Sequence, residues 1–289
     1  MQKPTVRTGI IGARFAASFH IESVHRVYGV NTEVVGVHSK TPESLNAYAD
    51  KHGIKAFDDL DALLDQIDVL HVCVPPALHE EMAIRALERG VYPIVEKPLT
   101  GRFGDGSEDY DGRNDSMEVA RDGALDSIKR MLEAEAASEA RILYAENWVY
   151  APTIQKEREV LEKTKGQVLW MHGEEAHSGS HSPFYGYWKH GGGGAMIGKG
   201  CHPLTAALYL KKVEGRARFG KPIRPASVTA RIHALTQLPN FVDDGHIRAD
   251  YFDIEDFGMT HVTFEDGTIA TVFASEIVLG GVHNWLEVC

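Results

Sequence analysis

Cysteine is scarce in this chain. The three that occur in 289 residues, Cys73, Cys201 and Cys289, lie far apart. They form no metal-spaced pair and no disulfide framework, so reduced thiols are expected. Long apolar runs are also missing. No stretch reaches about 18 such residues, which excludes an obvious membrane-spanning helix. The opening MQKPTVRTGIIG enters a strand with no apolar signal region before it, so a cytoplasmic location is expected. Positive charge is in deficit as well: 30 basic against 41 acidic residues give a net −11. That disfavours non-specific nucleic-acid binding but leaves room for a local anion site. What remains is an ordinary globular balance, 43% hydrophobic and 25% charged. The length suits about two domains.

The first half alternates strands and helices. Residues 5–11, 33–38 and 68–75 read as strands; 14–28, a segment opened by Thr41-Pro42-Glu43, 58–64 and 77–89 read as helices. Thr41 suits an N-cap, Pro42 the first helical position, and Gly90 a helix end. Phe15, Phe19 and Ile21 are expected on the inner side of the first helix. Such alternation predicts a parallel, doubly wound α/β sheet. Residues 101–116, GRFGDGSEDYDGRNDS, interrupt it with Gly and acid and read as an inserted surface loop, solvated or acting as a lid. A helix over 117–138 and a strand over 141–148 follow. From about residue 148 the style changes. A helix near 152–164, a strand over 168–174, a helix after His202 and long β segments over 227–236, 258–264 and 268–278 predict a second, antiparallel-rich domain on one sheet. The expected division is 1–147 and 148–289. The chain closes on GGVHNWLEVC, a strand only begun, as in a C-terminally truncated or naturally short protein.

Four segments carry chemistry. Gly9-Ile10-Ile11-Gly12 ends the first strand, where small residues let backbone approach a pyrophosphate at a helix N-terminus. Aligned on G-x-G-x-x-G/A, Gly12 takes the first place, Arg14 replaces the second Gly, and Ala17 takes the third. Arg14 either crowds the phosphates or contacts them. After the second strand come Ser39 and Lys40, with no acid to accept from a ribose hydroxyl, so NADP is expected over NAD. Val91–Thr100 ends in Glu96-Lys97-Pro98, a lysine at the mouth of the sheet. Pro75 and Pro76 end the fourth strand at the same edge.

The ordered set GIIGA (9–13), VCVPPALH (72–79), EKPL (96–99) and GGGGAMIGKGCHP (191–203) resembles the Gfo/Idh/MocA family over nearly the whole chain. The resemblance implies an N-terminal Rossmann domain and a C-terminal α+β domain with an open-faced, largely antiparallel sheet. It implies NAD or NADP as cofactor, a sugar- or cyclitol-like substrate, and a homodimer or homotetramer joined through that sheet. Lys97 matches the family's catalytic or substrate-orienting lysine, Pro98 a proline often preceded by a cis bond, and His202 an acid/base histidine. The family commonly places Asp four residues before this histidine; here that residue is Gly198, followed by Lys199. The implied cofactor set is Gly9, Gly12, Ala13, Arg14, Phe15, Ser39, Lys40, Pro75, Pro76, His79, Glu96 and Lys97. The implied substrate set is Lys97, Tyr185, Trp188, Lys199 and His202.

Hydride transfer from an alcohol also requires removal of the hydroxyl proton, which a histidine accepts and a nearby ammonium assists. Either His202 or a desolvated Lys97 fills that role. Residues 174–190 mix polar groups with Tyr185, Tyr187 and Trp188, which suits a polyhydroxylated ligand. A metal on Glu175, His177, His181 and His202 would have no recognised spacing, so none is expected. Two other readings share the fold: a non-catalytic dinucleotide-binding regulator, and a lyase or glycosidase that recycles a bound nicotinamide.

Overall fold

A computed structural model describes residues 3–180, 182 and 184–289. The chain divides into two compact units, Met1–Arg102 with Met117–Ala145, and Phe103–Ser116 with Glu146–Cys289.

The first unit runs β1 (Thr5–Ile11), α1 (Phe15–His25), β2 (Asn31–His38), α2 (Pro42–His52), β3 (Lys55–Phe57), α3 (Leu60–Leu64), β4 (Val69–Val72), α4 (His79–Glu88), β5 (Tyr92–Val95), α5 (Met117–Ala137) and β6 (Leu143–Tyr144). The six strands are parallel, in the order β3-β2-β1-β4-β5-β6. Strand order reverses between β1 and β4, where such sheets open a crevice at their carboxyl ends. Successive side chains of β1 point to opposite faces. Ile10 packs with Ala17, Ile21, Val37 and Leu45, whereas Ile11 packs with Leu63, Leu70, Val72, Met82 and Val95. A sheet covered on both faces needs such continuous apolar strands.

Several local expectations change. Phe15 and Phe19 are 78% and 57% exposed, because the buried stripe of α1 is Ala17, Ile21 and Val24. That i, i+4, i+7 set turns the two phenylalanines outward. Thr41 has the extended conformation of an N-cap but makes no side-chain cap bond. The strand expected over 141–148 contracts to β6, and a 3₁₀ turn follows at Asn147–Tyr150.

The second unit contains α6 (Pro152–Thr164), β7 (Trp170–Ala176), α7 (Trp188–Gly191), a π-helical turn (Met196–Gly200), α8 (Cys201–Phe219), β8 (Pro225–His233), β9 (Phe257–Phe264), β10 (Ile269–Ser275) and β11 (His283–Val288). Its sheet has the order β11-β7-β10-β9-β8; β7 and β10 pair in parallel and the other neighbours are antiparallel. Met171, Val262, Phe264 and Ala270 from the strands pack with Ile154 and Leu161 of α6 and Leu210 of α8. Of the surface loop expected over 101–116, residues 103–116 belong to this unit; 105–109 are exposed, as a solvated loop requires, and the segment is also anchored. The buried Asp253 carboxylate accepts from Gly112 N at 2.8 Å and from Trp188 N at 2.7 Å. Lys189 Nζ donates to Glu108 O at 2.6 Å.

Candidate active site

In the first unit, the carboxyl ends of β1, β2, β4 and β5 carry the predicted cofactor residues. Gly9 and Gly12 are backbone positions packed too closely for side chains. At Gly12, φ is +103° and a Cβ would lie 2.3 Å from Cys73 O. The chain then passes Ala13 into α1, whose N-cap residue, Arg14, makes no side-chain cap bond; no acid lies in the first turn. Uncapped N–H groups at the start of a helix fit a pyrophosphate. Phe15 is exposed beside this terminus and meets Phe19 edge-to-face, with ring centroids 4.7 Å apart. After β2, Ser39 is half-buried and Lys40 exposed. Pro76 is buried at the start of a 3₁₀ turn, Pro76–Leu78, and Pro75 precedes it half-buried.

His79 occupies a different position from the one expected of a cofactor contact. It is fully buried, with Nδ1 2.8 Å from Pro98 O and Nε2 3.0 Å from Val74 O. Both ring nitrogens therefore face backbone, and burial lowers its pKa. The ring ties the end of β4 to the cis Lys97–Pro98 bond. Glu96 is held on two sides: Oε1 lies 2.9 Å from His20 Nε2, and Oε2 accepts from Lys97 N at 3.0 Å. Burial raises the Glu96 carboxyl, but these bonds outweigh it and hold the group below its usual range. His20 Nδ1 lies 2.8 Å from His71 Nδ1. Burial, with His20 beside it, pushes His71 down to about 3, so that ring is neutral. Half-buried Lys97 thus follows a carboxylate backed by two histidines. Neither histidine is visible as a site residue in the sequence, because β4 and α1 bring them to Glu96 from 25 and 76 positions away.

In the second unit the glycine run leads into α8. Gly194 approaches Glu255 so closely that a Cβ would lie 1.8 Å from Glu255 O. The Glu255 carboxylate accepts from Gly194 N at 2.8 Å and Met196 N at 3.0 Å. Burial raises this group to about 7, against the pull of those N–H groups. The π-helical turn that follows holds Gly198 and Lys199; such turns often mark functional sites. Lys199 was expected to face substrate, but it is 4% exposed and forms a salt bridge with Glu276, so its charge is neutralised within the fold. Tyr251 Oη donates to the same Glu276 at 3.3 Å.

His202 stands in the first turn of α8 and is 8% exposed. Its Nδ1 is hydrogen-bonded to the Glu146 carboxylate, and its ring stacks on Trp148 at 17°, with centroids 6.1 Å apart. Half-buried Tyr185 lies beside the glycine run, 4.0 Å from where a Gly198 Cβ would be. The Trp188 ring packs against Gly112 and is half-buried. His181 lies outside the described residues; among the described ones no three His, Cys, Asp or Glu cluster as a metal site. Sequence reasoning missed Glu146, Glu255 and Glu276. The only signal for Glu146 was an acid at the carboxyl end of a short strand, in Ala145-Glu146-Asn147-Trp148.

Comparisons with known proteins agree with this geometry. A family model described as "Oxidoreductase family, NAD-binding Rossmann fold" matches residues 6–111, and one for the GFO/IDH/MocA C-terminal domain matches residues 154–289. An uncharacterized oxidoreductase of Synechocystis is 20% identical over 291 residues, covering 99% of this chain and 70% of that protein. The dTDP-3,4-didehydro-2,6-dideoxy-alpha-D-glucose 3-reductase of Streptomyces violaceoruber is 29% identical over 152 residues, or 49% of this chain and 44% of its own length. The crystal structure of GenD2 from gentamicin A biosynthesis, in complex with NAD, has the same fold at a TM-score of 0.74 and 22% identity; the match covers 100% of this chain and 70% of that one. Each unit is matched separately, and the chain belongs to the Gfo/Idh/MocA family of NAD-binding oxidoreductases.

Proposed function

We propose that the protein oxidises or reduces a hydroxyl or carbonyl group on a sugar- or cyclitol-like substrate, using NADP in preference to NAD. The observation that carries this reading is that each unit by itself holds chemistry of this kind. One has an uncapped helix N-terminus beside the cis-Pro lysine segment; the other has a buried histidine bonded to a carboxylate. A bound nicotinamide supplies the hydride donor or acceptor. His202 takes or gives the hydroxyl proton, and the Lys97 ammonium orients the oxygen and stabilises negative charge on it. The relative that reduces a dTDP-linked keto-sugar supports a sugar-type substrate. Exposed Lys40, just past the end of a strand where residues 38–41 offer no acid to a ribose hydroxyl, supports the 2′-phosphate. The reading includes a homodimer or homotetramer formed through the open face of the second sheet.

Binding of NADPH and NADH to the purified chain, followed by cofactor fluorescence, tests the first half. NADPH is expected to bind more tightly, and Lys40→Asp to weaken it by about ten-fold (about 1.4 kcal/mol). Unchanged NADPH affinity in that variant would remove the NADP assignment. Turnover is then screened with sugars, polyols and nucleotide sugars. His202→Asn is expected to lower kcat by about 10²–10⁴-fold. Full kcat in that variant would transfer the proton to Lys97, with Lys97→Ala as the companion measurement.

A further inference from the structure

The π-helical turn that leads into α8 offers His202 no acid of its own. The residue four positions before it is Gly198. Space does not exclude a side chain there, since a Cβ would lie 4.0 Å from Glu276 Oε1 and Tyr185 Cε1, an ordinary contact. The carboxylate comes instead from a different element. Glu146 follows β6 and precedes the 3₁₀ turn, and it is 0% exposed. Its Oε1 takes the bond from His202 Nδ1 and also accepts from Trp148 N at 3.3 Å. Its Oε2 is buried and has no hydrogen-bond partner among the described residues. Trp148, two residues on, lays its ring along the imidazole. A buried acid with one oxygen on a histidine and the other unpartnered is poorly explained as a fold-stabilising contact, because an unmatched buried polar atom costs free energy.

We infer that Glu146 is the positioning residue of His202, fixing the Nδ1–H tautomer so that Nε2 is the nitrogen that handles the proton. An ionised carboxylate only accepts, so the proton of the neutral ring sits on Nδ1 and the lone pair on Nε2. No hydrogen bond to Nε2 forms among the described residues. The chemical consequence rests on the proposed oxidoreductase reading. In the oxidation direction the substrate O–H bond breaks and its proton goes to Nε2. The carbinol C–H bond breaks and its electron pair leaves as hydride for an oxidised nicotinamide ring, forming the carbonyl. The imidazolium is balanced by Glu146 through Nδ1–H, and Glu146 itself takes no proton. The Trp148 face limits ring rotation, so the direction of Nε2 is set by two residues of one short segment.

The test has two parts, both on the full chain. The first is ¹⁵N NMR of histidine-labelled protein in mildly alkaline buffer, with His202→Asn identifying the signal among the 15 histidines. Wild-type His202 is expected to carry its proton on Nδ1, and Glu146→Met to shift the ring towards the Nε2–H form. A wild-type ring protonated on Nε2, or an unaltered ring in the variant, overturns the inference. The second part measures steady-state kinetics on whichever sugar turns over. Glu146→Met is expected to lower kcat by about 10²–10⁴-fold with KM within about three-fold, and Glu146→Asp to recover part of the loss. A folded Glu146→Met variant with wild-type kcat reduces Glu146 to a structural contact and overturns the role. If no substrate turns over while the wild-type tautomer is Nδ1–H, the functional reading fails and the positioning of His202 stands.

Discussion

At the scale of single residues, the second unit concentrates its cost in buried carboxylates. Glu255 is the clearest. Two backbone N–H groups favour its charge, yet full burial raises its pKa to about 7. The folded state therefore binds a proton that an unfolded chain, with a Glu pKa of about 4.3, has already released. Between those values the native state holds more protons than the unfolded one, so stability falls as pH rises. The fall attributable to Glu255 from pH 5 to pH 8 is roughly 2–3 kcal/mol. Urea midpoints across that range are expected to decline, and Glu255→Gln, which cannot ionise, to decline less by about that amount. Equal slopes in the two proteins would show that Glu255 stays ionised throughout. Glu96 works in the opposite sense. Its bonds to His20 and Lys97 N hold it below its usual range, so its contribution is present above the free carboxylate value and is lost as pH falls through the lower folded value.

At the scale of elements, the parallel sheet was legible because three of its strands, β1, β4 and β5, are followed at the carboxyl end by Gly or Pro. The β1 turn, the prolines after β4 and the lysine after β5 could all be placed from that punctuation alone. Phe15 and Phe19 misled because helical spacing fixes a stripe but not which of two apolar stripes faces the sheet; the smaller one, with Ala17, allows the close approach. Carboxylate partners were illegible because each arrives from a distant element, as Glu146 does at His202, 56 positions away. The segment 101–116 reads in the sequence as a surface loop, solvated or a lid, for want of aliphatic residues; 105–109 are exposed, and the polar anchor at 112 was not legible. Asp253 holds Gly112 N on one side and Trp188 N on the other, and a Cβ at Gly112 would lie 2.5 Å from Trp188 Cγ. Loss of two bonds to a buried carboxylate costs about 2–4 kcal/mol. Asp253→Ala is expected to release that strap. Hydrogen exchange should rise selectively over residues 103–116 and 186–192, with β1, β4 and β5 unchanged. Retained protection in the strap would mean that Phe103 against Gly192 and Lys189 on Glu108 hold it without Asp253.

At the scale of the whole molecule, the net charge of −11 opposes self-association unless a surface is locally spared acid. The second sheet has such a surface. Helices α6 and α8 pack against the face that carries Met171, Val262 and Ala270, and strand alternation sends the intervening residues to the other side. Across β8, β9 and β10 that other side bears Thr229, Arg231, Met259, His261, Thr271 and Phe273. None of these is acidic, and Met259 is 43% exposed. The β8–β10 part of this face suits a symmetric contact between two copies, because an acid-free patch with one basic residue, Arg231, meets itself, while Glu174 and Glu287 lie on the same face at the β7 and β11 end. Light scattering on the eluting protein is expected to give the mass of a dimer or tetramer, insensitive to moderate salt. Met259→Glu places two like charges across the contact and should shift the protein towards the monomer mass, while cofactor affinity in the first unit stays the same. A wild-type chain that elutes as a monomer at every concentration would leave the open face without a self-partner. A variant that keeps the oligomer would move the contact elsewhere on the chain.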